Sequence, residues 1–144
     1  MNQEEYLKNR LEDQINWYDK KSAKNQKLYK RLQFISFIAA AAVPFLSGYI
    51  SAESKSIQII VGLLGFITAV ITATLSLYKF HENWIEYRAT CESLRHEKYL
   101  YLAKTSPYNI QDPFPLLVQR VEAVISKENA NWTQYISQQK DKQS

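Results

Sequence analysis

The chain has 144 residues, 18 Lys+Arg against 14 Asp+Glu, a formal net charge of +4 and 46% hydrophobic residues, and its mean hydropathy of −0.36 is that of an ordinary soluble domain. A single cysteine excludes a disulfide framework and a Cys-rich zinc module, and three glycines, four prolines and few β-branched alternations outside the middle argue against a sheet-rich fold. The average hides a segregation of charge. Of the 32 charged residues only Glu53 and Lys55 fall between Leu32 and Tyr78, so the chain reads polar, apolar, polar.

Residues 1–31 predict an N-terminal helix, with Leu7, Leu11, Ile15, Tyr18 and then Leu28 or Tyr29 on one face. Its end carries Lys20, Lys21, Lys24, Lys27, Lys30 and Arg31 with no acidic residue between them. Two uncharged runs follow, Leu32–Ala52 and Ser56–Tyr78, of 21 and 23 residues. Each matches a hydrocarbon core of roughly 30 Å at about 1.5 Å per helical residue. They predict transmembrane helices over 32–50 and 57–78, joined by a short polar turn at 51–56 into an antiparallel hairpin, because a spanning backbone must satisfy its own hydrogen bonds. Pro44 removes one amide and predicts a kink in the first span. The alternative is a soluble bundle with a very apolar central hairpin, for which the chain is too short to cover both helices.

The basic cluster before the first span, with Lys79, Arg88, Arg95 and Lys98 after the second, places both termini in the cytoplasm by the positive-inside rule. Against the alternative of a nucleic-acid patch, its position beside a span favours anionic lipid headgroups. The expected partners are therefore the lipid bilayer, further copies of the chain and a cytoplasmic protein, with no nucleic acid.

After the second span, Phe80, Trp84, Tyr87, Cys91, Leu94 and Tyr101 keep a 4,3,4,3 rhythm with Lys98 in the missing step, a coiled-coil-like assembly seam. No breaker separates it from the span, which predicts one helix from about Ile57 to Thr105, on the order of 70 Å long. Pro107, Pro113 and Pro115 mark a linker over 106–115. Leu117, Val121, Val124 or Ile125, Trp132 and Tyr135 resume helical spacing over 116–137, before a polar tail at 138–144. The fold class is thus an all-α membrane protein in which the amphipathic cytoplasmic helices form a small bundle, within one chain or shared between chains.

Candidate chemistry is sparse. Cys91 lies between Arg88 and Arg95, a setting that lowers a thiol pKa, but it also reads as a small apolar residue of the seam. Glu92 and His96 have i,i+4 spacing without a third metal ligand. His81 beside Glu82 reads either as a group titrating near physiological pH or as a solvated interfacial histidine. With no phosphate loop, HExxH, nucleophile elbow or EF-hand loop, no enzymatic activity, cofactor or metal is expected. The second span offers more. Gln58, Gly62, Gly65, Ala69, Thr72 and Ser76 share one face, either a close helix–helix contact or the wall of a pore in an oligomer. A looser stripe in the first span is Gln33, Ser36, Ala40, Ser47 and Ser51.

The segments YLKNRLEDQINWYDKKSAKNQKLYKRLQ, YKFHENWIEYRATCESLRHEKYLYL and FPLLVQRVEAVISKENANW around a two-span hairpin resemble the SLATT-like family of bacterial two-transmembrane domains. The resemblance is carried by Trp17, Tyr18, Tyr29 and Lys30, and by Trp84, Tyr87, Arg88, Glu92, Leu94 and Glu97. It implies a bacterial inner-membrane protein with cytoplasmic helices that oligomerises and acts as a pore-forming effector. The expected function is a homo-oligomeric ion-permeable pore. The alternatives are a membrane-anchored scaffold that binds a cytoplasmic partner and a thiol-based sensor built on Cys91.

Overall fold

The computed structural model describes residues 1–141. About 85% of the described residues are helical, with no strand among them, so the all-α class holds. Helix α1 (Gln3–Tyr6), capped by the Asn2 side chain accepting from the Glu5 amide at 2.8 Å, runs through a π-helical segment (Leu7–Glu12) into α2 (Asp13–Ser47). Then come α3 (Lys55–Tyr78), α4 (Phe80–Leu102) and α5 (Phe114–Asp141). The chain divides into two compact units, one made of residues 1–22 with 85–144 and the other of residues 23–84.

The first unit is a helical bundle with its own core. Leu11, Cys91, Leu94, Leu117 and Val121 are wholly buried, with Tyr18 and Tyr108 nearly so. Each buried aliphatic side chain contributes roughly 1.5–3 kcal/mol. The expected cytoplasmic bundle therefore closes within one chain, although the seam is shorter than its rhythm suggests. Tyr87, Cys91, Leu94 and Tyr101 enter this core, whereas Phe80 and Trp84 belong to the second unit. Lys98, in the missing step, pairs with Glu12. The π-helical segment has a consequence for register. Its wider turn puts Tyr6 and Leu11, five residues apart, both in the core.

The second unit holds the C-terminal part of α2 and all of α3. Ala39 and Ile71 are buried in it, and the Tyr29 and His81 rings meet at 4.9 Å, as an antiparallel hairpin requires. Its connection, residues 48–54, is held by serines: the Ser54 hydroxyl donates to the Ser51 carbonyl at 2.8 Å and accepts from the Ser51 amide at 2.6 Å. Among the described residues one helical stretch, Lys55–Leu102, is long and apolar enough to cross a membrane, and only 6% of its most apolar window is buried. That exposure is compatible with membrane association. In α2 only the sixteen residues Leu32–Ser47 of the uncharged run are helical, about 24 Å at 1.5 Å per residue and shorter than the helix expected over 32–50. Pro44 lies inside α2 without ending it.

Three boundaries differ from expectation. The single helix over 57–105 is interrupted at Lys79, which adopts left-handed φ 46°, ψ 45°. There the Asn83 side-chain amide donates to the freed Tyr78 carbonyl at 3.2 Å. Helix α4 ends at Leu102, before Thr105, in a Schellman turn. The Thr105 amide donates to Leu100 and the Lys104 amide to Tyr101, with Lys104 left-handed at φ 52°. Helix α5 starts at Phe114, before 116, because Pro115 falls in a first turn that needs no amide from it. It continues through the expected tail to Asp141, and residues 142–144 lie outside the described ones.

Candidate functional site

The second unit presents the candidate site on α3. The side of α3 covered within the chain comprises Ile57, Val61, Leu64, Thr68, Ile71 and Leu75, all half-buried or buried. The small and polar stripe, Gln58, Gly62, Gly65, Ala69, Thr72 and Ser76, is one position further on at every step, about 100° round the helix, and is exposed throughout. The hairpin therefore does not use the stripe for its own packing. A β-carbon built at Gly62 or Gly65 meets nothing within 4 Å. Glycine costs a helix about 1 kcal/mol relative to alanine, and no close approach among the described residues offsets it.

The three threonine hydroxyls of α3 are satisfied internally. Thr68 donates to the Leu64 carbonyl, Thr72 to Thr68 and Thr74 to Val70, at 2.9, 2.9 and 2.8 Å. This back-bonding removes the cost of a lone donor in an apolar medium and leaves the oxygen of the exposed Thr72 free to accept. Gln58 departs from the stripe, because its amide donates to the Ser51 carbonyl at 3.3 Å and so supports the connection. In the α2 stripe, Gln33 and Ser36 are half-buried whereas Ala40, Ser47 and Ser51 are exposed, so those five do not form one surface.

The basic cluster Lys20, Lys21, Lys24, Lys27, Lys30 and Arg31 is exposed along α2, with the Lys21 ammonium 5.5 Å from the Trp17 ring centroid.

In the first unit, the arginines flanking Cys91 are engaged by acids: Arg88 with Asp19 and Glu92 at 3.5 and 2.7 Å, Arg95 with the same pair at 3.2 and 3.0 Å. Cys91 is wholly buried, its thiol donates to the Ile15 carbonyl at 3.5 Å, and burial pushes its pKa up. Of the two sequence readings, the seam residue is the one that fits. A maleimide at pH 7.5 is expected to label Cys91 only after denaturation, and stoichiometric labelling of native protein would revive the sensor. Glu92 is held by its two arginines and is not paired with His96, and no group of three or more His, Cys, Asp and Glu among the described residues could hold a metal ion.

The sequence reading passed over three tyrosine–carboxylate clamps. Glu122 accepts from Tyr6 and, bidentately, from Arg10 at 3.0 Å. Glu97 accepts from Tyr108 and, bidentately, from Arg120 at 2.9 and 2.7 Å. In both, the arginine hydrogen bond holds the carboxyl below the usual carboxylate range. Glu128, 7% exposed, accepts from Tyr18 at 2.9 Å and from Trp132, forms no ion pair among the described residues, and burial raises its pKa.

The signs follow. Glu97 and Glu122 contribute stability above the unfolded carboxylate pKa and lose it as pH falls through their lowered values. Glu128 does the reverse, favouring the fold below the unfolded value and losing that contribution as pH rises through its raised one. Glu128→Gln is therefore expected to stabilise the bundle at pH 7, with the gain vanishing as pH falls below the unfolded carboxylate value. Urea unfolding across that range measures it, and a variant no more stable than wild type at pH 7 would refute the assignment.

A sequence profile described as a protein of unknown function (DUF4231) matches residues 13–113. The chain belongs to this family. The DUF4231 match takes in α2, α3, α4 and the proline-containing connection and stops one residue before α5, so Leu117, Val121 and Ile125, which complete the bundle core, lie beyond it. No curated protein and no solved structure matches the chain.

Proposed function

We infer that this is a homo-oligomeric, two-span protein of the bacterial inner membrane, with both termini cytoplasmic, in which α3 lines or borders an ion-permeable path. The observation that carries this reading is the exposed stripe of α3, lying one position round from the side its own hairpin covers, with two glycines at which a β-carbon would meet no atom of the described residues within 4 Å. In a bilayer, small residues on a free face favour close contact with another helix, and outward hydroxyl oxygens suit a wetted wall. The apolar exposure of Phe34, Phe37, Phe45, Leu63 and Phe66 around both helices supports lipid on the remaining surface. Two helices enclose no path, so conduction requires several copies. The resemblance to SLATT-like domains points the same way.

The mass of the detergent-solubilised particle tests this. A symmetric oligomer is expected, and a monomer would remove the pore.

The second reading, a membrane-anchored scaffold for a cytoplasmic protein, draws on the self-contained bundle and its exposed Tyr99, Leu102 and Ile110. Replacing residues 32–78 by an unrelated membrane hairpin separates the two. Function survives for a scaffold and is lost for a pore.

A further inference from the structure

The charge of the molecule is divided unevenly. Residues 1–22 with 85–144 hold twelve basic and twelve acidic residues, so the bundle is neutral, and the entire +4 resides in residues 23–84, with six basic against two acidic. Within the second unit, Lys24, Lys27, Lys30 and Arg31 precede the uncharged stretch of α2, whereas the connection at its far end carries only Glu53 and Lys55.

Lys24, Lys27 and Arg31 recur at i, i+3 and i+7 and so share one face, with Lys30 beside them. All four are exposed, and none forms an ion pair among the described residues. The contrast is with Arg10, Arg88, Arg95 and Arg120, each of which is matched to a carboxylate. The opposite side of this stretch of α2 carries Tyr29, packed on His81, which in turn lies 5.5 Å from the Trp84 ring. One end of the unit thus combines unmatched cations, a cluster of amphipathic rings and, directly following, the exposed apolar Phe34, Ile35, Phe37 and Ile38.

We propose that Lys24, Lys27, Lys30 and Arg31 form a binding surface for the headgroups of anionic phospholipids. The proposal rests on the membrane reading above and adds the class of lipid. Lipid is favoured over nucleic acid because the cations run without a break into exposed apolar side chains. A phosphodiester backbone gains nothing from those side chains, whereas an acyl chain below an anionic headgroup covers them. Each cation near an anionic surface raises partitioning by roughly fivefold at low salt, an effect that ions screen.

The test uses the full-length chain in a neutral detergent, incubated with equimolar phosphatidylglycerol and phosphatidylcholine, repurified, and its retained lipid quantified by mass spectrometry. At 50 mM salt, phosphatidylglycerol is expected to be enriched at least tenfold over phosphatidylcholine, falling toward parity at 500 mM. The quadruple variant Lys24→Gln, Lys27→Gln, Lys30→Gln, Arg31→Gln is expected to abolish the preference with unchanged helicity. Equal retention by the unmodified protein, or enrichment insensitive to salt, overturns the proposal even if the variant fails to fold. So does preferential retention of a short DNA duplex offered in competition, which would make this a nucleic-acid surface. Failure of the membrane reading looks different. The chain would then wash out of membranes in alkaline carbonate and remain soluble without detergent, whereas a detergent-dependent protein that retains both lipids equally refutes only the lipid class.

Discussion

Glu97→Ala is expected to lower the stability of the bundle by about 2–3 kcal/mol, the largest effect of any single carboxylate in the chain. Its carboxylate is almost wholly buried and receives three hydrogen bonds, two from the Arg120 fork and one from the buried Tyr108. Removing it leaves the Tyr108 hydroxyl without its acceptor in the core and a guanidinium without its counter-charge. Arg120 is half-exposed, and water takes over part of its solvation, which keeps the loss below the ~3–5 kcal/mol seen when one partner of a fully buried pair is removed. Glu97→Gln keeps an acceptor for Tyr108 and is expected to cost about half as much. Urea unfolding of the detergent-solubilised chain, followed by the fluorescence of Trp17 and Trp132, measures both. A change below about 0.5 kcal/mol for the alanine variant would show that Glu97 does not join α4, the proline-containing connection and α5 as described.

The second large effect concerns conduction. Thr72 lies on the exposed stripe of α3, and Leu63 lies half a turn round the same helix, also exposed. If copies surround a path bordered by the stripe, Thr72→Trp introduces one indole per copy at the same level, and flux is expected to fall at least tenfold, a barrier of about 1.4 kcal/mol or more. Leu63→Trp, meeting lipid, is expected to leave flux within about twofold. Particle mass completes the comparison. Unchanged mass with lost flux supports a wall, lost oligomer supports a packing contact, and equal effects of the two variants contradict the assignment of faces.

The parts of this architecture legible in the sequence are those written in helical period. Tyr87, Cys91, Leu94, Leu117 and Val121 recur at spacings of three and four, and they do form one core. The uncharged run from Ser56 likewise marks the helix that is apolar enough to cross a membrane. What stayed hidden has specific causes. The π-helical turn at Leu7–Glu12 shifts the period by one residue, so a 3.6-residue reading assigns the face to Leu7 and passes over Tyr6 and Arg10. Lys79 and Lys104 adopt a left-handed backbone that glycine usually signals, so neither helix end announces itself.

Two of the clamps, those of Glu122 and Glu128, were hidden because their partners are far apart in sequence. Glu122 lies 112 residues from Arg10, and Glu128 lies 110 from Tyr18, so each acid reads locally as one more solvated charge. The stripe on α3 was visible as a pattern. Its separation from the covered side by a single position was not, because that depends on which flank of α3 the hairpin uses.

The central claim is that copies of this chain together make an ion-permeable path, and passive ion flux from liposomes containing the full-length protein tests it most directly. The account predicts flux well above that of protein-free liposomes, carried by a particle whose mass is a multiple of the chain's. Background flux from a verified oligomer correctly inserted in the bilayer would contradict it.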